Sequence, residues 1–99
     1  MLNIQKTTEN GTALFTLEGR LDTITSPTLE KLLRESLDGV STLILDLQGL
    51  EYISSAGLRV FLSAQKLMNK QGTMEIHHAN ESIMEIFEVT GLTEILTIK

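Results

Sequence analysis

Residues 42–62 read TLILDLQGLEYISSAGLRVFL. The stretch opens on the run TLILDL, apolar nearly throughout, which is the mark of a central strand covered on both faces. It closes on the start of a helix over 55–70. There Val60, Phe61, Ala64, Leu67 and Met68 fall on one side and Arg59, Ser63, Lys66 and Lys70 on the other. Between strand and helix stand two adjacent serines and an Ala-Gly pair. One hydroxyl is enough to cap a helix, and Ala56-Gly57 is a poor opening, since glycine costs about 1 kcal/mol against alanine. Small side chains there leave backbone uncovered, which suits close approach by another molecule.

Working outward, Gly72 ends that helix and TMEIHH reads as a further strand, with His77 and His78 on opposite sides of it. NESIMEIFEVTG is a helix with Asn80 as its cap, Ile83, Ile86 and Phe87 as its stripe and Gly91 as its stop. TEILTIK adds a last short strand. Upstream, LNIQKT and TALFTLEG alternate as strands about Asn10-Gly11, a pair suited to a type I′ hairpin turn. Ala13, Phe15 and Leu17 share one face. SPTLEKLLRESLDG is a helix, with Ser26 as N-cap, Pro27 in first position and Gly39 at C′. Its stripe is Leu29, Leu32, Leu33 and Leu37, with Glu30–Arg34 and Lys31–Glu35 paired outside. The order ββαβαβα(β) gives an α/β fold: a mixed sheet of four to five strands, an N-terminal hairpin and three main helices.

The 99 residues suit one domain over 1–99. No cysteine is present, which excludes disulfides and thiolate chemistry and fits a reducing cytoplasm. Eight basic against thirteen acidic residues give a net charge of −5, the wrong sign for binding nucleic acid directly. No apolar run reaches the roughly 18–20 residues of a membrane span, and no export signal opens the chain. Two adjacent histidines without a third ligand make no metal site, and no cofactor motif occurs.

Parallel strands two to four place Gly19–Ser26, Gln48–Ser55 and His78–Asn80 on one sheet edge, where partners of open α/β sheets gather. Asp22, Ser54 and Ser55 stand on that edge, with Ser55 as cap or first residue of the helix. Asp46, at the end of strand three, supports it by bonding nearby N–H groups. Each has a plain structural role as well: Ser55 caps, and Asp22 makes a local turn.

DLQGLEYISSAGLRVFL, preceded by LEGRLDTITSPTLE and followed by VTGLTEIL, resembles the STAS domains of bacterial anti-sigma-factor antagonists. The resemblance implies a regulatory protein rather than an enzyme. Its unphosphorylated form would bind an anti-sigma factor that is also a serine kinase, and so release the sigma factor. By that resemblance Ser55, two places before Gly57, is the phosphorylated residue, and a serine phosphatase reverses the change. Asp22, Thr23, Ser54, Ser55, Ala56, Gly57 and Leu58 would form the partner surface. Ser54 stands where many members have an acid, and Ala56 where they have a second serine.

Two further readings remain open. A STAS-like accessory subunit of a transport ATPase or signalling assembly would use the same surface constitutively. A serine hydrolase would need a base at Ser55, and ISSAG is not the G-x-S-x-G elbow.

Overall fold

The computed structural model describes residues 1–99. β1 (Leu2–Glu9) and β2 (Thr12–Leu21) form an antiparallel hairpin. Its turn is Asn10-Gly11, with φ of 52° and 81°, the positive values that a type I′ turn needs at both central positions. α1 (Ser26–Ser36), β3 (Thr42–Ile53), α2 (Ser55–Asn69), β4 (Thr73–His77) and α3 (Glu81–Val89) follow. The sheet order is β1-β2-β3-β4, with β2, β3 and β4 mutually parallel. No helix is long and apolar enough to cross a membrane.

β2 and β3 outrun the apolar stretches that announced them. The pairing slips between Thr16 and Glu18 and again between Gly19 and Arg20, and β3 carries one extra residue each time. The buried positions of β3 record this: Leu43, Leu45 and Leu47 at spacing two, then Leu50 and Ile53 at spacing three. Such bulges break the alternation while the ladder continues. The expected loop Gln48–Ser55 is therefore mostly strand, the expected loop Gly19–Ser26 begins as strand through Leu21, and Asp46 lies inside β3 rather than at its end. Its Oδ1 accepts the Gln48 N–H at 3.0 Å, satisfying a donor beside the first bulge.

One face of the sheet carries the core. Ala13, Phe15 and Leu17, Leu43, Leu45 and Leu47, and Met74 and Ile76 are buried there, within a single cluster of 23 residues shared with the helices. On the other face Leu14, Ile44 and Glu75 lie side by side and only half-buried. β3 is thus covered on one face, not two. Ile44 takes its shelter from its strand neighbours, not from a helix.

The helices differ from expectation at their ends. Thr25, not Ser26, occupies the cap position of α1; Ser26 is its first residue, buried, with its hydroxyl donating to the Asp22 carbonyl at 2.5 Å. α1 stops at Ser36 with Leu37 as its cap, so Gly39 (φ 79°) turns the chain beyond the C′ position. Glu30 and Arg34 pair at 3.2 Å, whereas Lys31 and Glu35 form no ion pair. Val60, Phe61, Ala64 and Met68 of α2 are buried, but Leu67 is 37% exposed over the crevice between α1 and α2.

Asn80 caps α3, accepting the Ile83 N–H at 2.9 Å, and its amide also donates to the Leu50 carbonyl. Phe87 meets Phe61 of α2 at 6.3 Å between ring centroids. The last segment is not a strand. Leu92 and Leu96, four apart, are both buried, which requires a turn, and a 3-10 turn forms at Leu92–Glu94. Only one bridge, Ile76 to Ile98, touches the sheet.

Candidate partner-binding site

The parallel strand ends bring the expected loops together. The Ser54 N–H donates to the Leu21 carbonyl at 2.8 Å, tying the end of β3 to the end of β2. Asp22 follows at once and builds a tight turn. Its Oδ1 accepts from the Ile24 and Thr25 N–H groups, both at 3.0 Å, and lies 3.1 Å from the Thr25 hydroxyl. The Thr25 hydroxyl also takes the Asp22 N–H at 2.9 Å and lies 2.9 Å from the Arg20 carbonyl. Asx turns of this kind fix backbone without secondary structure. The Thr25 N–H, followed by its hydroxyl and the Ile24 N–H, outweighs desolvation and holds the Asp22 carboxyl below the ordinary aspartate range.

The two serines divide their tasks. Ser54 is the N-cap of α2, with extended backbone and its Oγ accepting the Gly57 N–H at 3.3 Å. Ser55 is the first helical residue, exposed, and its hydroxyl makes no hydrogen bond within the chain. One serine caps and the other is free.

Gly57 corrects the expectation that small residues here open the backbone to a partner. It is buried, and a Cβ at this position would lie 2.8 Å from Leu21 Cγ and 2.9 Å from Ile53 Cγ1. The glycine lets α2 seat on the ends of β2 and β3. Ala56 and Leu58 are half-buried, and Thr23 is exposed. Thr23, Ala56 and Arg59 line a shallow crevice of about 330 Å³ between the starts of α1 and α2.

Ile24 escaped the sequence reading. It stands 83% exposed in the Asp22 turn, beside Thr23. The available signal was a lone large apolar residue inside DTITS, a stretch otherwise made of turn formers. Arg20 and Tyr52, paired across β2 and β3, add a cation over a ring at 4.3 Å.

Asp46 and the histidines are engaged with one another. Desolvation acts to raise the Asp46 pKa. The Gln48 N–H, a hydrogen bond to His78 and the charges of His78 and His77 outweigh it, so the carboxyl sits below its ordinary value. His78 departs from the strand with φ of 59° and brings Nδ1 within 3.0 Å of Asp46. His77 Nε2 is 2.8 Å from Glu75 Oε1. The rings therefore do not diverge across the sheet as expected; they meet edge-on, with centroids 6.0 Å apart. Neither is hydrogen-bonded to Ser55, as a hydrolase would require.

The model of the STAS domain matches residues 3–99. An anti-sigma-B factor antagonist of Staphylococcus aureus (strain NCTC 8325 / PS 47) is 30% identical over 99 residues, covering 98% of this chain and 92% of that protein. The chain belongs to the STAS family of anti-sigma-factor antagonists. Solved members share its fold. The crystal structure of an anti-sigma factor antagonist from Mycobacterium paratuberculosis superposes with a TM-score of 0.89 at 19% identity, over 99% of this chain and 85% of that one. SpoIIAA in its unphosphorylated form gives 0.77 at 14% identity, covering 100% of this chain and 87% of that one. The Bacillus protein in its phosphorylated form gives 0.76 at 16% identity, covering 100% and 91%. Both forms match this STAS fold about equally.

Proposed function

We propose that this chain, read as one STAS domain over residues 1–99, is an anti-sigma-factor antagonist gated at Ser55. Unphosphorylated, it binds an anti-sigma factor that is itself a serine kinase, and the sigma factor is released. The kinase transfers the γ-phosphoryl group of a nucleoside triphosphate to Ser55 Oγ. The O–P bond forms as the bond to the diphosphate breaks, and the hydroxyl proton is lost. A serine phosphatase reverses this by hydrolysis. The cytoplasm is where this reading places the exchange.

The observation that carries the reading is the exposed, unbonded hydroxyl of Ser55 beside a neighbour that already caps the helix. Phosphate adds about −1.5 to −2 charges at neutral pH. The fold need not move, because a first-turn phosphate faces free helix N–H groups. What changes is the surface shared with Asp22, Thr23, Ser54, Ala56 and Leu58. A partner groove shaped for a neutral serine would have to bury charge without a counterion, which is costly. A loss of about 3–4 kcal/mol weakens binding by two to three powers of ten.

The test is partner affinity for the wild type, Ser55→Ala and Ser55→Asp, with phosphosite mapping and melting temperatures alongside. Ser55→Ala keeps most of the affinity and accepts no phosphate; Ser55→Asp loses affinity without unfolding. Equal binding by Ser55→Asp and wild type would mean that charge here does not gate the interface. A constitutive STAS-like subunit would then be the better description.

A further inference from the structure

We infer that Arg59 is a built-in clamp for the phosphate on Ser55, an inference that rests on the reading of Ser55 as the modified residue. Arg59 stands four residues after Ser55 on α2. Residues at that spacing are neighbours on a helix surface, with Cβ atoms about 5–6 Å apart. The order is the favourable one, since an anion one turn N-terminal to a cation also agrees with the helix dipole. Helical side chains lean toward the N-terminus, which carries the long Arg59 side chain back over the first turn of α2.

The surroundings leave Arg59 uncommitted. It lines the crevice with Thr23, Glu30, Ala56 and Ser63. Glu30, the acid of that crevice, is held by Arg34 at 3.2 Å. Asp22 spends its carboxylate on the Ile24 and Thr25 donors. Arg20, the other arginine on this edge, lies over Tyr52. Arg59 itself takes part in no ion pair. A cation with no carboxylate partner, one turn from an exposed hydroxyl, is a receptor for a group that arrives later.

Guanidinium presents planar paired donors that match phosphate oxygens. Once Ser55 is phosphorylated, Arg59 holds the group against its own helix and favours the dianion over the monoanion. The off state is then stabilised in cis, and the phosphate is less available to a hydrolytic enzyme. Arg59 acts as a positioning residue: it performs no chemistry, and it fixes where the charge sits.

The experiment installs phosphoserine at position 55 during translation, so no kinase is needed, in the wild type, Arg59→Gln and Arg59→Lys. The second ionisation of the phosphate is followed by phosphorus NMR at low and high salt. Wild type should titrate about 0.2–0.4 pH unit below Arg59→Gln, with a smaller gap in high salt. Arg59→Lys should recover part of the shift. Alkaline phosphatase should release phosphate several-fold faster from Arg59→Gln. Melting temperatures of the three unphosphorylated proteins should agree, which separates the clamp from a structural role. Identical titrations and identical release rates in wild type and Arg59→Gln would overturn the clamp. Because the phosphate is placed without the kinase, that failure is distinct from a finding that the kinase never modifies Ser55.

Discussion

The Ser54 amide is bonded to the Leu21 carbonyl at 2.8 Å, so the residue before Asp22 and the residue before Ser55 are held together by backbone alone. Side-chain substitutions at Asp22 or Ser55 leave this link intact. It follows that the surface can be altered without losing the register of β2 and β3. A switch that changes charge while conserving fold needs that separation.

Gly57 is the point at which the same link is vulnerable. A methyl group there meets Leu21 Cγ at 2.8 Å, Ile53 Cγ1 at 2.9 Å and Leu21 Cδ2 at 2.9 Å. Alanine improves helix propensity by about 1 kcal/mol, but overpacking a filled contact costs about 1–3 kcal/mol. Gly57→Ala should therefore lower stability, by a net amount on the order of 1 kcal/mol, read as a lower denaturant midpoint at unchanged slope. A higher midpoint would show that α2 has room to move away from Leu21.

The division of labour between the serines predicts unequal effects of alanine. Ser54→Ala removes the cap and should cost about 1 kcal/mol. Ser55→Ala removes a hydroxyl without partners and should stay within about 0.5 kcal/mol of wild type. Chemical denaturation of both variants decides this, and the reverse order would assign the cap to Ser55.

How far the chain could be read in advance depended on periodicity. The hairpin, the three helices and the shared edge were legible because Asn10-Gly11, the leucine stripe of α1 and the Asn80 cap each act locally. β3 was legible only to Leu47, because its bulges move the buried positions from spacing two to spacing three. Ile44 misled in another way: an apolar side chain shielded by strand neighbours looks, in sequence, like one covered by a helix. At the site, the adjacent serines stood out as one hydroxyl more than a cap needs, and the resemblance singled out Ser55 by its spacing to Gly57, yet which of them caps is a matter of backbone angles. Ile24 and the commitments of the charged groups depend on three-dimensional neighbours that spacing does not encode.

Acid should weaken the Asp22 turn in a defined window. The Asp22 pKa is lowered in the fold, first by the Thr25 N–H, so folding favours the ionised form. Its contribution is present above the unfolded value of about 3.9 and is lost as pH falls through the lower folded value. Asp22→Asn keeps an acceptor oxygen but does not titrate. Thermal melts between pH 7 and pH 2 should therefore show a steeper fall below about pH 4 in wild type than in Asp22→Asn. Asp46 is retained in both and does not contribute to the difference. Parallel curves would mean that the carboxylate charge adds nothing to the turn.

Ile24 should be an anchor of the partner interface. It is 83% exposed, although burying an isoleucine side chain is worth about 1.5–3 kcal/mol. Its backbone is nevertheless fixed, through its N–H bond to Asp22 Oδ1. An apolar side chain carried on backbone that is already ordered leaves less entropy to be lost on binding, which is what makes a contact of this kind count. Ile24→Ala should leave the melting temperature nearly unchanged, because an exposed side chain gives little to the fold. Affinity for the anti-sigma partner should fall by about tenfold or more, in the range of an interface hot spot. Ile24→Ser should fall at least as far, since it removes the apolar surface and adds a polar group to be desolvated. Calorimetric titration of both variants against the partner measures this, with Thr28→Ala as a control on the exposed side of α1. If Ile24→Ala binds as tightly as that control, the exposed isoleucine lies outside the interface, and the partner approaches Ser55 from the α2 side alone.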